Sequence, residues 1–320
     1  MEKSFISKEQ TQIIKGFAIL FMIAHHCLIK EFYIHQPTEL LSFGAIRLQV
    51  SMKICVGIFT FFVGYGTFYA NKFDFHYIIS HVLRLLKQYW FVLFLTIFLS
   101  FLGGSLCWEH ILGGLFGLTP YYNLGNWYVY FYIYALLILP LMSYCIKRKK
   151  ILSICSFIFL PSILSLLIKQ DSIGTKVLYN CLIYTPILAI GFVAAYTQFY
   201  VILIKFISHK FVWIILAVSA IVLRTVGVVK GFNSDIIYVP LFIFSISAIG
   251  WNNKILMSLG KNSTFMWFFH AIPLSTATAH IFQDNPIWIN NPFFLFIALT
   301  IISYLFAVIA RRLFHALKLL

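Results

Sequence analysis

Long apolar stretches alternate with short polar segments along almost the whole chain. A helix that crosses a bilayer needs roughly 20 mainly apolar residues, with a range of about 17–25. This pattern predicts a polytopic membrane helix bundle of the all-α class with ten transmembrane helices, and residues 1–320 as one integral-membrane domain. The approximate bounds of the ten helices are 13–31, 50–70, 82–103, 126–145, 151–168, 179–197, 211–229, 235–250, 262–282 and 293–314.

Composition supports a membrane protein over a soluble one. Hydrophobic residues make up 61% of the chain and charged residues only 10%, whereas soluble domains average about 45–50% and about 25%. The six cysteines lie mostly in apolar runs and form no CxxC pair, so they are interpreted as small buried hydrophobic residues. We expect neither a metal site nor a structural disulfide.

The distribution of cations predicts the orientation of the bundle. With the N-terminus inside, the ten-helix layout places 17 of the 24 lysines and arginines in inner segments and 7 in outer segments or the adjoining helix ends. Inner segments of membrane proteins carry the excess of cations, which predicts that both termini are cytoplasmic. The net charge of +15 is therefore attributed to topology and to contact with the lipid bilayer, and nucleic acid is not expected as a partner.

The first predicted helix contains the stretch KGFAILFMIAHH, which starts at Lys15. Because each helical residue turns by 100°, Lys15 and His26 share one face and lie about 16 Å apart along the axis, while His25 points about 100° away. Ionisable groups inside a membrane helix normally mark functional sites, and histidine is the usual general base near neutral pH. His26 is therefore the candidate functional residue, and His25 is interpreted as a hydrogen-bonding partner of a neighbouring helix.

Four further positions offer polar chemistry near helix ends. Arg84 and Lys87 share a face at the start of the third predicted helix, where they fit either phosphate binding or simple anchoring at the inner surface. Asn126 and Trp127 open the fourth helix on the outer side, where an interfacial aromatic belt is the common explanation of Trp127 and a sugar-stacking site stays open as the alternative.

The ninth predicted helix carries two polar candidates, Ser263 and His270. By contrast, none of the nine acidic residues lies in the middle of a predicted span. This disfavours a paired-carboxylate catalytic centre and ion-coupled transport through buried acids.

Five segments in this order resemble the membrane-bound acyltransferase-3 family of bacterial integral-membrane O-acyltransferases. They are the Lys15-x10-His26 spacing, the Arg84-x2-Lys87 pair, NWYVYFYIYALLILPL, ILAIGFVAAY and LGKNSTFMWFFH. Two features depart from the family pattern. Lys15 stands where arginine is more usual, and FFVGYGTF lacks the serine that typically precedes the glycine.

The resemblance implies transfer of an acyl group, most often acetyl, from a cytoplasmic acyl-coenzyme A to a carbohydrate hydroxyl, with no bound cofactor. It implies that His26 is the general base or an acyl relay and that Lys15, Arg84 and Lys87 hold the phosphates of the donor. The remaining candidates Asn126, Trp127, Ser263 and His270 are assigned to the acceptor site or pocket. The expected location is the bacterial cytoplasmic membrane.

Two other functional classes stay open at this point. A transporter, flippase or polymerase of surface polysaccharide has similar hydropathy and basic loops, and an inactive relative could act as a sensor. The sequence does not choose the acceptor, the acyl group or the oligomeric state.

Overall fold

The computed structural model describes residues 5–28, 43–70, 74–119, 121–122, 126–207, 209–226, 233–278 and 292–319. Within these ranges the chain forms thirteen α-helices and one short 3-10 helix, Thr276–Thr278, and no strand. The all-α prediction is therefore confirmed for the described residues. The helices are α1 (Lys8–Cys27), α2 (Phe43–Met52), α3 (Ile54–Ala70), α4 (Phe75–Leu102), α5 (Glu109–Leu115), α6 (Asn126–Arg148), α7 (Lys150–Leu166), α8 (Ile173–Thr197), α9 (Phe199–Phe206), α10 (Lys210–Val226), α11 (Asp235–Ile249), α12 (Lys254–Phe269) and α13 (Pro292–Ala316).

Each of the ten predicted segments contains a helix, but polar caps extend several of them beyond the apolar run. Helix α1 starts at Lys8 because the Ser7 hydroxyl accepts a hydrogen bond from the Gln10 amide at 3.1 Å and the Gln10 side chain accepts one from the Ser7 amide at 3.0 Å. Helix α4 starts at Phe75 because Asp74 accepts from the Tyr77 amide at 2.6 Å. Such caps supply partners for the first amides of a helix, which an apolar window does not detect.

The ninth predicted helix is displaced towards the N-terminus. Helix α12 begins at Lys254 because the Asn253 side chain accepts from the Leu256 amide at 2.9 Å. The predicted continuation to residue 282 is wrong for residues 270–278, which form turns and the 3-10 helix. Pro273 lies in this stretch and has no amide hydrogen to continue a helix.

Among the described residues, five helical segments have the length and apolar composition to cross a membrane. They are Ile46–Ala70, Phe75–Leu102, Trp127–Arg148, Ile173–Thr197 and Pro292–Ala316. Helices α7 and α10 have 17 residues each, at the lower limit for a spanning helix, and α11 with 15 residues is shorter than that limit. The chain is a multi-pass membrane protein, while ten spans and cytoplasmic termini stay predictions.

Helices α1 and α12 pack with their backbones in direct contact. A Cβ atom on Gly16 would lie 2.2 Å from the carbonyl oxygen of Leu256, and one on Gly260 would lie 1.8 Å from that of Gln12. Both distances are far below van der Waals contact, so only glycine fits at either position. Close approach at small residues is typical of membrane helix pairs, which associate mainly through packing.

Helices α3 and α8 form a second pair of the same kind. A Cβ on Gly64 would lie 2.2 Å from the Leu188 carbonyl oxygen, and one on Gly191 would lie 2.2 Å from that of Phe61. The ring of Phe68 continues this contact at 5.5 Å from the ring of Phe192, so the two helices run parallel. These reciprocal glycine contacts hold the centre of the bundle.

We predict that Gly260→Ala destabilises the protein. The added methyl group meets the Gln12 carbonyl, so α1 and α12 must separate, and such overpacking costs about 1–3 kcal/mol. The thermal unfolding midpoint of the purified protein in detergent should fall by a few degrees. Gly66→Ala is the matched control, because nothing lies within 4 Å of its added methyl; equal midpoints for the two variants would contradict the assigned contact.

Candidate functional site

Two histidines from the ends of α1 and α12 face each other inside the bundle. His26 lies in the last turn of α1, and His270 caps α12. Nδ1 of His26 is 2.6 Å from Nε2 of His270, and the two rings stack with centroids 4.8 Å apart. His270 is only 1% exposed. The sequence singles out each histidine separately, and the fold brings them together.

The contact between α1 and α12 explains why these histidines meet. His26 follows Gly16 by ten residues, and His270 follows Gly260 by ten residues. The two histidines touch at the same ends of the two helices, so α1 and α12 run parallel. Ten helical residues rise about 15 Å on either helix, so two parallel helices that are level at the glycines are level again at the histidines.

The hydrogen bonds of the pair define the tautomer of each ring. Nδ1 of His270 lies 3.2 Å from the carbonyl oxygen of Met266, and a carbonyl only accepts, so this nitrogen carries the hydrogen. In the neutral ring Nε2 of His270 is then an acceptor, and it receives the Nδ1 hydrogen of His26. Nε2 of His26 is left with a free lone pair and no hydrogen-bond partner among the described residues.

Both rings are assigned as neutral because no carboxylate of the described residues contacts them. The ion pair that the described residues do form joins Arg224 to Asp235. A charged group inside a membrane bundle is expensive without a partner. In this series of hydrogen bonds, the Met266 carbonyl accepts from His270, and His270 accepts from His26. The basic nitrogen that the series leaves without a hydrogen is Nε2 of His26.

His25 has a different role from its neighbour. Its Nδ1 lies 2.7 Å from the backbone oxygen of Gln49 in α2, so it donates to that carbonyl. This confirms the interpretation of His25 as a hydrogen-bonding partner of a neighbouring helix. The 100° between consecutive residues separates His25, on the α2 side, from His26, on the α12 side.

A cavity of about 740 Å³ lies between α1, α3, α4, α6, α12 and α13. Sites for small molecules typically occupy about 300–1,000 Å³. No acidic residue is among the described residues that line it. The basic lining residues are Lys15, His81, Arg84, Lys261, Arg311 and His315. This excess of basic over acidic residues favours a polyanionic ligand.

The cavity leads from these cations towards the histidine pair. On α1 it extends from Gln12 through Lys15 to Met22, and on α12 it extends from Gly260 to Trp267. His26 follows Met22 by four residues and His270 follows Trp267 by three, which is about one helical turn in each case. The histidine pair thus lies about one helical turn beyond the end of the cavity that Met22 and Trp267 line.

The structure separates the two predicted donor-binding residues of α4. Both side chains are exposed, but Arg84 lines the cavity and Lys87 is not part of the lining. Three helical residues leave the two side chains about 60° apart, which is enough to turn Lys87 off the cavity face. Ser263 is buried and lines the cavity, as a pocket residue should.

Of the two candidates at the start of α6, Trp127 does not line this cavity. The ring of Trp127 stacks on Tyr184 of α8 with centroids 5.7 Å apart. Asn126 begins α6, and its side chain lies outside the described residues. Their assignment to the acceptor site stays a prediction.

A buried ion pair near the histidines is a feature that the sequence reasoning missed. Arg224 of α10 bonds Asp235 of α11 through both of its forked nitrogens, one of them at 3.0 Å. The same guanidinium donates to the backbone oxygens of Val50 and Ser51 at the end of α2. Arg224 lies near the end of one predicted helix, and Asp235 lies at the start of the next. This closeness in the sequence was the signal available for predicting the ion pair.

Comparison with known proteins gives one finding for nearly the whole chain. A family model described as an acyltransferase domain matches residues 11–312. The matched region includes the histidine pair and almost all of the cavity lining. Comparisons with the curated proteins and with the solved structures found no match.

We predict that Asp235→Asn strongly destabilises the fold. The change leaves the Arg224 cation buried without its counter-charge, which typically costs about 3–5 kcal/mol. Thermal unfolding in detergent measures the effect, and Asp171→Asn serves as the control because Asp171 is exposed. Similar unfolding midpoints for both variants would contradict a buried, structural ion pair.

Proposed function

The chain belongs to the acyltransferase-3 family and is a membrane-bound acyltransferase, and on that premise we propose that it moves an acyl group from acyl-coenzyme A to a carbohydrate hydroxyl. The acceptor is a cell-surface or lipid-linked glycan, and acetyl is the proposed acyl group. We place the enzyme in the bacterial cytoplasmic membrane. The observation that carries the proposal is a cation-lined cavity whose lining ends about one helical turn from a histidine with a free basic nitrogen.

The donor enters the cavity from the end of the bundle that is predicted to be cytoplasmic. Its phosphates bind Lys15 and Arg84, assisted by Lys261 and Arg311, because guanidinium and ammonium groups are the usual phosphate ligands. Lys15 cannot form the bidentate contact that an arginine offers at this position, so the two arginines supply the planar donors. The thioester end extends past Met22 towards His26.

Acyl transfer then uses the free nitrogen of His26. Nε2 accepts the proton of the acceptor hydroxyl as its oxygen attacks the thioester carbon. The new carbon–oxygen bond forms, the carbon–sulfur bond breaks, and the leaving thiolate takes up the proton. In the alternative relay, Nε2 itself attacks the thioester and the acyl group passes from the imidazole to the hydroxyl; both routes need Nε2 unprotonated.

His270 positions His26 for either route. By accepting the Nδ1 hydrogen, it holds the ring in the tautomer with a free Nε2 and stabilises the imidazolium that forms. Asp does this in the Ser-His-Asp triad, where loss of the correct tautomer is very costly. A neutral imidazole serves here in a region without a carboxylate partner.

We predict that His26→Ala lowers acyl transfer by about 100- to 10,000-fold, the range for loss of a general base. His270→Leu should cause a smaller loss, and His270→Gln should retain more activity than His270→Leu because its amide oxygen still accepts the Nδ1 hydrogen. The measurement is the acyl content of surface glycans, by mass spectrometry, from cells that produce each variant at equal level.

His25→Gln provides the control for this series, because His25 contacts α2 rather than His270. Full acylation with His26→Ala would contradict the assignment of the base. Movement of saccharide without any acyl transfer by the wild-type protein would instead support the transporter alternative.

We also predict that Arg84 and Lys87 differ in donor binding. Arg84→Gln should raise the KM for acetyl-coenzyme A about 10-fold, the effect of losing a hydrogen bond to a charged group. Lys87→Gln should leave KM unchanged, because Lys87 does not line the cavity. Release of free coenzyme A by the purified protein in liposomes, with extracted membrane glycans as acceptor, measures both values. Equal effects of the two variants would count against the cavity as the donor site.

A further inference from the structure

Among the described residues that line the cavity, Asn262 presents a buried acceptor that phosphates cannot satisfy. Asn262 is 6% exposed and lines the cavity. Its Nδ2 donates to the Ser258 carbonyl at 2.8 Å, which fixes the orientation of the amide. Its Oδ1 has no hydrogen-bond partner among the described residues. A buried acceptor without a partner is unfavourable, so a ligand that brings a donor to it gains affinity.

The chemistry of Oδ1 restricts what binds beside it. A carbonyl oxygen only accepts hydrogen bonds, so a phosphate oxygen is repelled while an N–H group is bound. The cavity therefore has two chemically different parts: the cations, which suit anions, and Asn262, which suits an uncharged donor. A ligand that fits both parts carries phosphates at one end and an amide along its length.

The position of Asn262 along α12 selects one amide of such a ligand. Asn262 precedes His270 by eight residues, which is about 12 Å along the axis. In the pantetheine arm of coenzyme A, eight covalent bonds separate the acyl carbon from the nitrogen between the pantoyl and β-alanyl units. At the rise of an extended chain this is about 9 Å. An attack distance of about 3 Å between Nε2 and the acyl carbon brings the total to about 12 Å.

The same bond count gives the expected distance of the donor's phosphates from Nε2 of His26. Fourteen bonds join the acyl carbon to the nearest phosphorus, which is about 16 Å in an extended chain. Adding the same attack distance puts the phosphorus about 19 Å from Nε2, just past the level of Lys15 at about 16 Å. The cations and Asn262 thus match two separate points of one extended ligand.

We propose that Asn262 recognises the pantetheine arm of the donor. Its Oδ1 accepts a hydrogen bond from the N–H of the amide between the pantoyl and β-alanyl units, and this sets how far the thioester reaches towards His26. This inference rests on the proposed function, because it takes acyl-coenzyme A as the donor. It adds a specificity residue that reads the uncharged part of the donor.

Binding measurements with parts of the donor test the proposal. We expect Asn262→Leu to weaken coenzyme A and pantetheine by the same factor, about fivefold to 10-fold, and to leave adenosine 3′,5′-diphosphate unchanged. Arg84→Gln should show the opposite selectivity, weakening coenzyme A and the diphosphate but not pantetheine. Titration calorimetry of the purified full-length protein in detergent gives all of the dissociation constants.

A single-atom change in the ligand isolates the hydrogen bond itself. An analogue of pantetheine with an ester oxygen in place of the selected N–H should bind the wild type about fivefold to 10-fold more weakly, and should bind Asn262→Leu as pantetheine does. If the ester and the amide bind the wild type equally, the proposal is overturned.

One control variant and two further results complete the test. Ser245→Ala is the matched variant, because the Ser245 hydroxyl is also buried without a hydrogen-bond partner but does not line the cavity; it should bind all ligands like the wild type. Loss of diphosphate affinity in Asn262→Leu would place the adenosine at Asn262 and overturn the proposal. Absence of coenzyme A binding by the wild type would overturn the proposed donor, and the inference with it.

Discussion

The parallel contact between α1 and α12 determines the geometry of the site. At Gly16 and Gly260 the backbone of each helix touches the other, because neither position carries a Cβ atom. That contact sets the relative height of the two helices along their whole length. It aligns His26 with His270 at one end and forms one wall of the cavity at the other.

The cationic residues of the cavity and the histidine pair lie at different heights along α1. Cations gather where the cavity is lined by Lys15 and the ends of α4 and α13, while the histidine pair lies about 16 Å further along the axis without a carboxylate partner among the described residues. The cationic end suits the polyanionic donor that we propose, and the histidine pair at the other end is the proposed base. Met22 and Trp267 line the cavity about one helical turn short of the histidine pair.

The sequence predicts the parts of this site that depend on a single helix. The shared face of Lys15 and His26 follows from the 100° turn, and the role of His25 follows from its being off that face. The pairing of His26 with His270 could not be predicted, because 244 residues separate them and only tertiary packing makes them neighbours. The same dependence on tertiary packing hid the cavity positions of Lys261, Arg311 and Asn262. It also hid the ion pair of Arg224 with Asp235.

The predicted starts of α1, α4 and α12 were wrong for a local reason. Ser7, Asp74 and Asn253 cap first turns that are polar, and an apolar window does not detect such turns.

The central claim is that His270 holds His26 in the tautomer whose Nε2 is free. Nitrogen-15 NMR of histidine-labelled protein in lipid bilayers tests it most directly, with His26→Gln and His270→Gln used to assign the signals. We expect two neutral rings, each protonated at Nδ1, with the His26 Nδ1 hydrogen bonded to Nε2 of His270. A His26 ring protonated at Nε2, or a His26 signal that does not respond to His270→Gln, would contradict it.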